Sequence, residues 1–174
     1  LEQWGIAYDR PGEDETFDEQ LERLEDYSLA IVSSYLEGEF LTEWRAEPLR
    51  AFAEAGGIVV VFKPVLVPGD PGSMLLGLDG TEGRRDLERL SFDATPLGAT
   101  RVFDTAEERS LPLRGPTDSE TPVSWILHAK AGTQVGAYGL IGDQRVGPLL
   151  TRRSVGAGAI YALGHDLHSF WHTR

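Results

Sequence analysis

One strand–helix–strand unit, residues 27–62, constrains the fold more than any other part of this sequence. Leu29–Val32 is a short continuous apolar run, which is typical of a strand that is buried on both faces. Ile58–Phe62 is a second such run, and helical spacing of apolar residues predicts a helix over Thr42–Ala55. The pattern predicts two adjacent parallel strands that are joined by a right-handed crossover, with the helix on one face of the sheet.

Both ends of this helix carry sequence signals. Thr42 is a suitable N-cap, and Gly56-Gly57 favours a left-handed C-cap, which glycine adopts most easily. Pro48 conflicts with a regular helix. Either the helix starts near Glu47, with Pro48 in its first turn, or it kinks at the proline.

Composition is that of an ordinary globular domain, and it argues against several classes of partner. The 174 residues, 41% hydrophobic and 25% charged, suffice for a single domain over 1–174 with a good core. The formal net charge of −12 argues against nucleic acids and anionic membranes, because both require a positive patch. Cysteine is absent, which excludes disulfides, a thiolate nucleophile and thiolate metal sites.

No targeting or membrane signal is visible in the sequence. No apolar run approaches the roughly 20 residues that span a bilayer, and no signal peptide precedes the first strand. The chain starts at Leu1, and Leu1–Ile6 resembles the end of a helix that leads into an extended piece. We therefore expect a soluble segment of a longer protein, with its first strand missing, and leave its compartment open.

The second half of the chain is rich in short strands. Thr16–Glu19 fits a helix capping box, and Ser73–Leu78 predicts a short helical turn. Beyond these, alternating patterns predict strands, a hairpin around Gly156-Ala157-Gly158, and an irregular segment over Thr105–Thr121. The predicted strands are Leu87–Phe92, Thr100–Phe103, Val123–Ala129, Val135–Ile141, Leu149–Val155 and Ala159–Leu163.

Signatures of catalysis are missing. The chain contains no G-x-S-x-G nucleophile elbow, and Lys63-Pro64 follows the second buried strand where a nucleophile would stand. The glycines at 156 and 158 do not open a helix, so they predict a hairpin turn and not a phosphate-binding loop. We expect no catalytic residue and no cofactor.

A small polar ligand could bind where the parallel strands end. Ser34, Tyr35 and Glu37 follow the first strand, and Lys63 follows the second. Ligands of parallel α/β sheets bind beyond the carboxyl ends of the strands. The alternative is that Lys63 forms an ion pair with a carboxylate at the rim of the sheet.

A histidine cluster near the end of the chain suggests a second kind of site. His165, His168 and His172 would share one face of a helix and could bind zinc or nickel, with Asp166 supporting them. The alternative, which we favour, is a strand end followed by a surface tail. On that interpretation His165 is partly buried near Ser34 and Lys63, does not converge with the other two histidines, and contributes with Asp166 to a ligand site.

Three blocks of sequence resemble a known superfamily. They are Tyr27–Phe62, Leu75-Leu76-Gly77 and residues 153–167, and together they are similar to class I glutamine amidotransferase-like domains. The closest likeness is to the non-catalytic branch, namely the trimerisation domain of β-galactosidases and domains that precede polysaccharide-deacetylase-like modules. In those relatives an aromatic or other apolar residue usually stands at the position of His165.

The resemblance implies a fold and a role. The fold is an α/β, flavodoxin-like three-layer sandwich with a mostly parallel sheet and a β-rich C-terminal half. The role is that of a non-catalytic accessory or oligomerisation domain of a larger, carbohydrate-active protein. Its partners would be other domains of the parent chain or a second copy, with carbohydrate as a further possibility.

Two alternative functions remain. A carbohydrate-binding module would use Trp44 or Trp171 together with the carboxylates near Glu37, because exposed tryptophans often contact sugars. A metal-dependent hydrolase would use the histidine cluster. Self-association would avoid the acidic stretch Glu13–Asp26 and use the β-rich half or the neighbourhoods of the two tryptophans.

Overall fold

The computed structural model describes residues 16–33, 41, 43–84, 86–93, 110–113 and 124–165. Strands dominate these residues, and the helices are short. In chain order the elements are α1 (Phe17–Leu21), a 3₁₀ turn (Leu24–Asp26), β1 (Leu29–Ser33), α2 (Glu43–Glu54), β2 (Ile58–Phe62), α3 (Pro71–Leu76), β3 (Leu78–Arg84), β4 (Arg89–Phe92), β5 (Ser110–Pro112), β6 (Ser124–Ala129), β7 (Gln134–Ile141), β8 (Gln144–Val155) and β9 (Gly158–Leu163).

The predicted strand–helix–strand unit is confirmed. β1 and β2 are parallel neighbours, with Leu29 opposite Ile58 and Val32 opposite Val61. β2 pairs on its other side with β9, also in parallel. Helix α2 packs on one face of these three strands, where Leu49 is fully buried in the core.

The expectation of a mostly parallel sheet is wrong for the described residues. Seven strands lie in the order β1-β2-β9-β8-β7-β4-β5, and only the β1–β2 and β2–β9 pairings are parallel. The other four pairings are antiparallel. The reason is local, because tight turns at Gly142 and Gly156 return the chain directly beside the strand it has just left.

The fold is therefore an α/β mixture with a mixed sheet and a β-rich second half. The flavodoxin-like three-layer sandwich is not confirmed. A second sheet of β3 and β6, paired antiparallel, packs against β8 and takes part of the place that helices would occupy. The sequence analysis missed β3, and it assigned β5 to an irregular segment. The strand that it predicted over Thr100–Phe103 lies outside the described residues.

Helix ends follow the sequence signals closely. In α1 the Thr16 side chain accepts from the Glu19 backbone, and the Glu19 carboxylate accepts from the Thr16 backbone at 2.7 Å, so the capping box is confirmed. Helix α2 ends in a Schellman arrangement, in which Gly57 N–H donates to Phe52 and Gly56 N–H to Ala53.

Of the two alternatives for Pro48, a helix start near Glu47 is wrong, whereas the predicted helix over Thr42–Ala55 agrees with α2. The helix already begins at Glu43 and carries Pro48 in its interior. A proline at the sixth residue lies beyond the first turn, so it removes one internal hydrogen bond of the helix. Thr42, the predicted N-cap, lies outside the described residues.

Strands β1, β2 and β9 present two different faces, because successive side chains point to opposite sides of a sheet. The inner face carries Val59, Val61, Ile160 and Ala162, all of which are buried under α2 and its neighbours. We call the opposite side the outer face. Strand register places these residues on it in rows: Leu29, Ile58 and Ala159; Ile31, Val60, Tyr161, Arg152 and Gln134; Phe62, Leu163 and Leu150.

Two apolar clusters fill the interior. The larger one joins α1, α2 and α3 to the inner face of the parallel strands. The smaller one lies at the antiparallel end of the sheet, around Leu87, Leu90, Ile126 and Leu149. Strand β6 links the two clusters, since Leu127 belongs to the first and Ile126 to the second.

Candidate functional site

The carboxyl ends of the three parallel strands meet at one edge of the sheet. β2 ends at Phe62 and β9 at Leu163, and the two residues are register partners. The backbone N–H of Lys63 donates to the carbonyl of Leu163 at 2.8 Å. The chain directions therefore bring Lys63 and His165 to the same edge, as the sequence predicted.

Lys63 has an unusual backbone. Among the described residues, Lys63 is the non-glycine residue that has a positive φ, with a value of 47°. Left-handed backbone is costly for residues with a Cβ atom and is found most often at turns and functional sites. The buried Pro64 follows immediately and restricts the backbone further. Lys63 thus turns the chain sharply as it leaves β2.

His165 is buried more deeply than the sequence predicted. Only 1% of the residue is exposed, and its Nδ1 lies 2.7 Å from the Oγ of the buried Ser124. The tautomer decides which of the two atoms donates. An isolated antiparallel bridge joins the same two residues through the backbone. The pair therefore fastens the start of β6 to the end of β9.

Gly164 makes this close approach possible. Its N–H donates to the Leu149 carbonyl at 2.7 Å, and its own carbonyl accepts from the N–H of Trp125. A methyl group on the Gly164 Cα would overlap the Trp125 carbonyl oxygen. The residue that joins β9 to His165 must therefore be glycine if β6 is to cross here.

The Ser124–His165 pair has the spacing of an activated serine, but it is sealed from solvent. A serine nucleophile requires a base within hydrogen-bond reach, which 2.7 Å satisfies. It also requires a path for the substrate, and both residues are buried. The pair consequently stabilises the contact between the two-stranded sheet, through β6, and the seven-stranded sheet, through β9. Sequence analysis missed Ser124, because no local pattern relates positions 41 residues apart.

Most of the sequence-predicted site lies outside the described residues. This holds for Ser34, Tyr35, Glu37 and Asp166, and also for His168 and His172. Lys63 and His165 are the two predicted residues that can be placed. Within the described ranges, no group of three or more histidine, cysteine or acidic residues is arranged to hold a metal ion.

A second polar cluster lies on the outer face around Arg152. The guanidinium donates to Tyr161 Oη at 3.3 Å, to Gln134 Oε1 at 3.1 Å and to Ser154 Oγ at 2.9 Å. It also lies 5.9 Å from the centre of the Tyr161 ring. These partners are all neutral, so the cluster presents a net positive charge beside a half-buried aromatic ring.

Within the part of the chain that is described, no helix is long and apolar enough to cross a membrane.

Comparisons with known proteins identify the fold. No family model matches the chain, and no curated protein matches it either. Among solved structures, it is similar to cytoplasmic protein STM1381 from Salmonella typhimurium LT2, with a TM-score of 0.57 and 16% identity over 88% of this chain and 66% of that one. A ThuA-like protein from Bacteroides uniformis gives a TM-score of 0.51 and 15% identity over 88% of this chain and 66% of that one.

A third neighbour is much larger than this chain. A β-galactosidase from Bacillus circulans matches with a TM-score of 0.55 and 14% identity, over 81% of this chain but only 20% of that one. The chain therefore spans about a fifth of the length of that enzyme. At 14–16% identity these comparisons show a likeness of fold alone, which the chain shares with a ThuA-like protein and with a domain-sized part of a β-galactosidase.

Proposed function

We propose that this chain is a non-catalytic accessory or oligomerisation domain of a larger, carbohydrate-active protein. The observation that carries the proposal is the match to a domain-sized part of a β-galactosidase, which covers 81% of this chain and 20% of that enzyme. A fold that occurs as one part of a multidomain glycosidase is a reasonable candidate for the same kind of part here. The partners would be other domains of the parent chain or a second copy.

The chemistry of the described residues supports a non-catalytic role. The chain has no cysteine and no nucleophile elbow. Among the described residues, Ser124 and His165 form a close serine–histidine pair, which is buried and holds two sheets together. These two side chains at the strand ends therefore stabilise the packing of the sheets and are not available to a substrate.

A ligand at the carboxyl edge of the parallel strands is part of the proposal. Lys63 supplies the cation at this edge, and Ser34, Tyr35, Glu37 and Asp166 are the proposed polar neighbours. His165 is proposed as a supporting residue, because a residue that is 1% exposed positions its neighbours and does not itself meet a ligand. The strained backbone of Lys63 supports this placement.

A carbohydrate-binding module is the second candidate. The observation that favours it is the Arg152 cluster, in which a half-buried tyrosine ring lies beside guanidinium, amide and hydroxyl groups. Sugars are commonly held by such a combination of an aromatic surface and hydrogen-bonding side chains. Isothermal titration of the chain with galactose and galactobiose tests it, with Tyr161→Ala as the matched variant. Heat of binding that Tyr161→Ala abolishes would favour this candidate.

The gene on both sides of the codons for Leu1 and Arg174 tests the accessory role. We expect a carbohydrate-active module in the same reading frame. Deleting residues 1–174 from that parent should leave turnover per active site nearly unchanged and alter the sedimentation coefficient or the melting temperature. A frame that encodes no such module would contradict the proposal.

Activity of the isolated chain is the complementary test. We expect no hydrolysis of nitrophenyl glycosides above the buffer rate, and no serine labelled by a fluorophosphonate probe. The Ser124→Ala variant is the control, because it removes the only serine that has a histidine within hydrogen-bond reach among the described residues. Stoichiometric labelling that Ser124→Ala abolishes would show that the buried pair opens and reacts.

A further inference from the structure

The outer face of β1 and β2 exposes large aliphatic side chains. Leu29, Ile31 and Ile58 are 43%, 49% and 40% exposed, whereas Val32, Val59 and Val61 on the inner face are buried. Register puts Leu29 directly beside Ile58, and Ile31 beside Val60, so the exposed groups form one contiguous patch. Contiguous apolar surface of this kind marks an interaction site more often than isolated apolar residues do.

This patch differs from the rest of the surface in charge. The chain carries a net charge of −12, yet β1, β2 and β9 contain no ionisable side chain except the Tyr161 phenol. A partner that covers the patch therefore desolvates no carboxylate. Parallel strands in α/β proteins are packed on both faces, so we expect another structural element to pack against the outer face as well.

The size of the patch selects the kind of partner. The exposed groups lie on β1 and β2, because Ala159 and Leu163 on the outer face of β9 are only 5% and 9% exposed. Two strands of five residues, spaced about 4.8 Å apart and rising about 3.3 Å per residue, form a rectangle of roughly 10 by 16 Å. A stable complex of two globular surfaces needs about 800 Å² per partner, which is several times this footprint. A single α-helix of about 11 residues is about 10 Å wide and 16 Å long, and it matches the patch.

The Arg152 guanidinium places a positive charge beside the patch, where it could contact the partner helix. It flanks the patch on the same face, in the row of Ile31, Val60 and Tyr161. Its hydrogen-bond partners are neutral, so a carboxylate on the covering helix would pair with the guanidinium at the edge of the contact.

We propose that the outer face of β1 and β2 is the docking surface for one amphipathic helix of the parent polypeptide, from outside the 174 residues. The helix presents an aliphatic stripe to Leu29, Ile31, Ile58 and Val60 and a carboxylate to Arg152. This inference rests on the proposed accessory role and deepens it, because it states which surface joins the domain to the rest of the protein.

The absence of cysteine makes a direct test possible. Ile31→Cys places a thiol in the patch, and Val67→Cys places one at a loop residue that is 65% exposed and lies outside the outer face. The rate of maleimide labelling at each position is measured by mass spectrometry of the labelled peptide, in the isolated chain and in the full parent. Circular dichroism and the melting temperature establish that both variants fold.

We expect the thiol at position 31 to react freely in the isolated chain and at least about tenfold more slowly in the parent, at every protein concentration. The thiol at position 67 should react equally fast in both. A benzophenone maleimide attached at position 31 should then cross-link in the parent to a helix outside residues 1–174. Adding Arg152→Ala should raise the labelling rate at position 31 in the parent.

Three results would overturn the proposal. Equal reactivity at positions 31 and 67 in the parent would show that nothing covers the patch. Protection in the isolated chain that grows with concentration would assign the patch to a second copy, and protection there at all concentrations would assign it to a segment of this chain. The accessory role is judged separately by the gene and the deletion, so each hypothesis can fail without the other.

Discussion

The two faces of β1, β2 and β9 are built from alternate residues of the same strands, and on β1 and β2 their environments differ strongly. On the inner face Val59, Val61 and Ile160 are at most 1% exposed, while on the outer face Ile31 and Ile58 remain 40–49% exposed. Both sets are aliphatic, so composition alone does not distinguish them. What distinguishes them is the packing partner, because α2 and its neighbours cover one face and the described elements leave half of the other open.

This difference shows how far local pattern determines environment. A continuous apolar run identifies a strand that is suited to burial on both faces. The run does not determine what packs against the second face, which must be another structural element or another molecule.

The tightest contact on the inner side should also be the most sensitive. Gly164→Ala places a methyl group against the Trp125 carbonyl, so β6 and β9 can no longer approach. We expect a loss of more than about 4 kcal/mol, or failure to fold, because backbone atoms on both sides cannot move independently. Urea unfolding followed by circular dichroism measures the loss.

Gly132→Ala is the control for this glycine. Gly132 has a φ of 88° and no atom within 4 Å of the added methyl group, so only backbone strain opposes the change. We expect a cost of about 1–2 kcal/mol. Equal losses in the two variants would contradict the steric argument at Gly164.

Truncation of one aliphatic residue on each face tests the contrast itself. Ile160→Ala on the inner face should cost about 2–5 kcal/mol in the free energy of unfolding, because it leaves a cavity in a packed core. Ile31→Ala on the outer face should cost less than about 1.5 kcal/mol in the isolated chain, because much of the side chain is already in water. Similar losses in the isolated chain would show that the outer face is covered there.

A buried hydroxyl on the inner face should be dispensable. Thr151 is 1% exposed, and within the described structure its Oγ1 has no hydrogen-bond partner. Thr151→Val replaces the hydroxyl with a methyl group of similar size and should raise the free energy of unfolding by about 1 kcal/mol. The control is Thr133→Val, which removes the hydrogen bond to the Gly77 carbonyl and should destabilise the chain. Destabilisation by Thr151→Val would indicate a partner for this hydroxyl.

The smallest effect should arise at the capping box of α1, whose Leu21 lies in the cluster beneath α2. Hydrogen bonds from the Thr16 backbone and side chain lower the pKa of Glu19 below its usual value of 4.5. Since the folded pKa is depressed, the carboxylate contributes stability above pH 4.5, and the contribution is lost as the pH falls through the folded pKa.

Melting curves between neutral and acidic pH test this contribution. Glu19→Gln should melt slightly below the unmodified chain at pH 7, and the difference should vanish in acid. Glu22→Gln, at the exposed end of the same helix and outside the capping box, is the control for the loss of one carboxylate from α1. A difference that persists at low pH would exclude the carboxylate charge as its cause.

Features that depend on a few neighbouring residues could be predicted from the amino-acid sequence. The apolar runs at Leu29–Val32 and Ile58–Phe62 predicted paired parallel strands, and the Thr16–Glu19 pattern predicted a capping box. The hairpin between β8 and β9 was likewise predicted from its central glycines. In each case the interactions that form the feature involve residues within one helical turn, one tight turn or one strand.

The strand order of the large sheet and the environment of the candidate site depend on long-range packing. Two of the four antiparallel pairings, β7 with β4 and β4 with β5, join strands that no tight turn connects, and no local pattern ranks these partners. The same holds for Ser124 and His165, which meet because β6 crosses the end of β9 at Gly164. Long-range packing selects such neighbours, since the free energy of each contact depends on all the surfaces that must be covered at once.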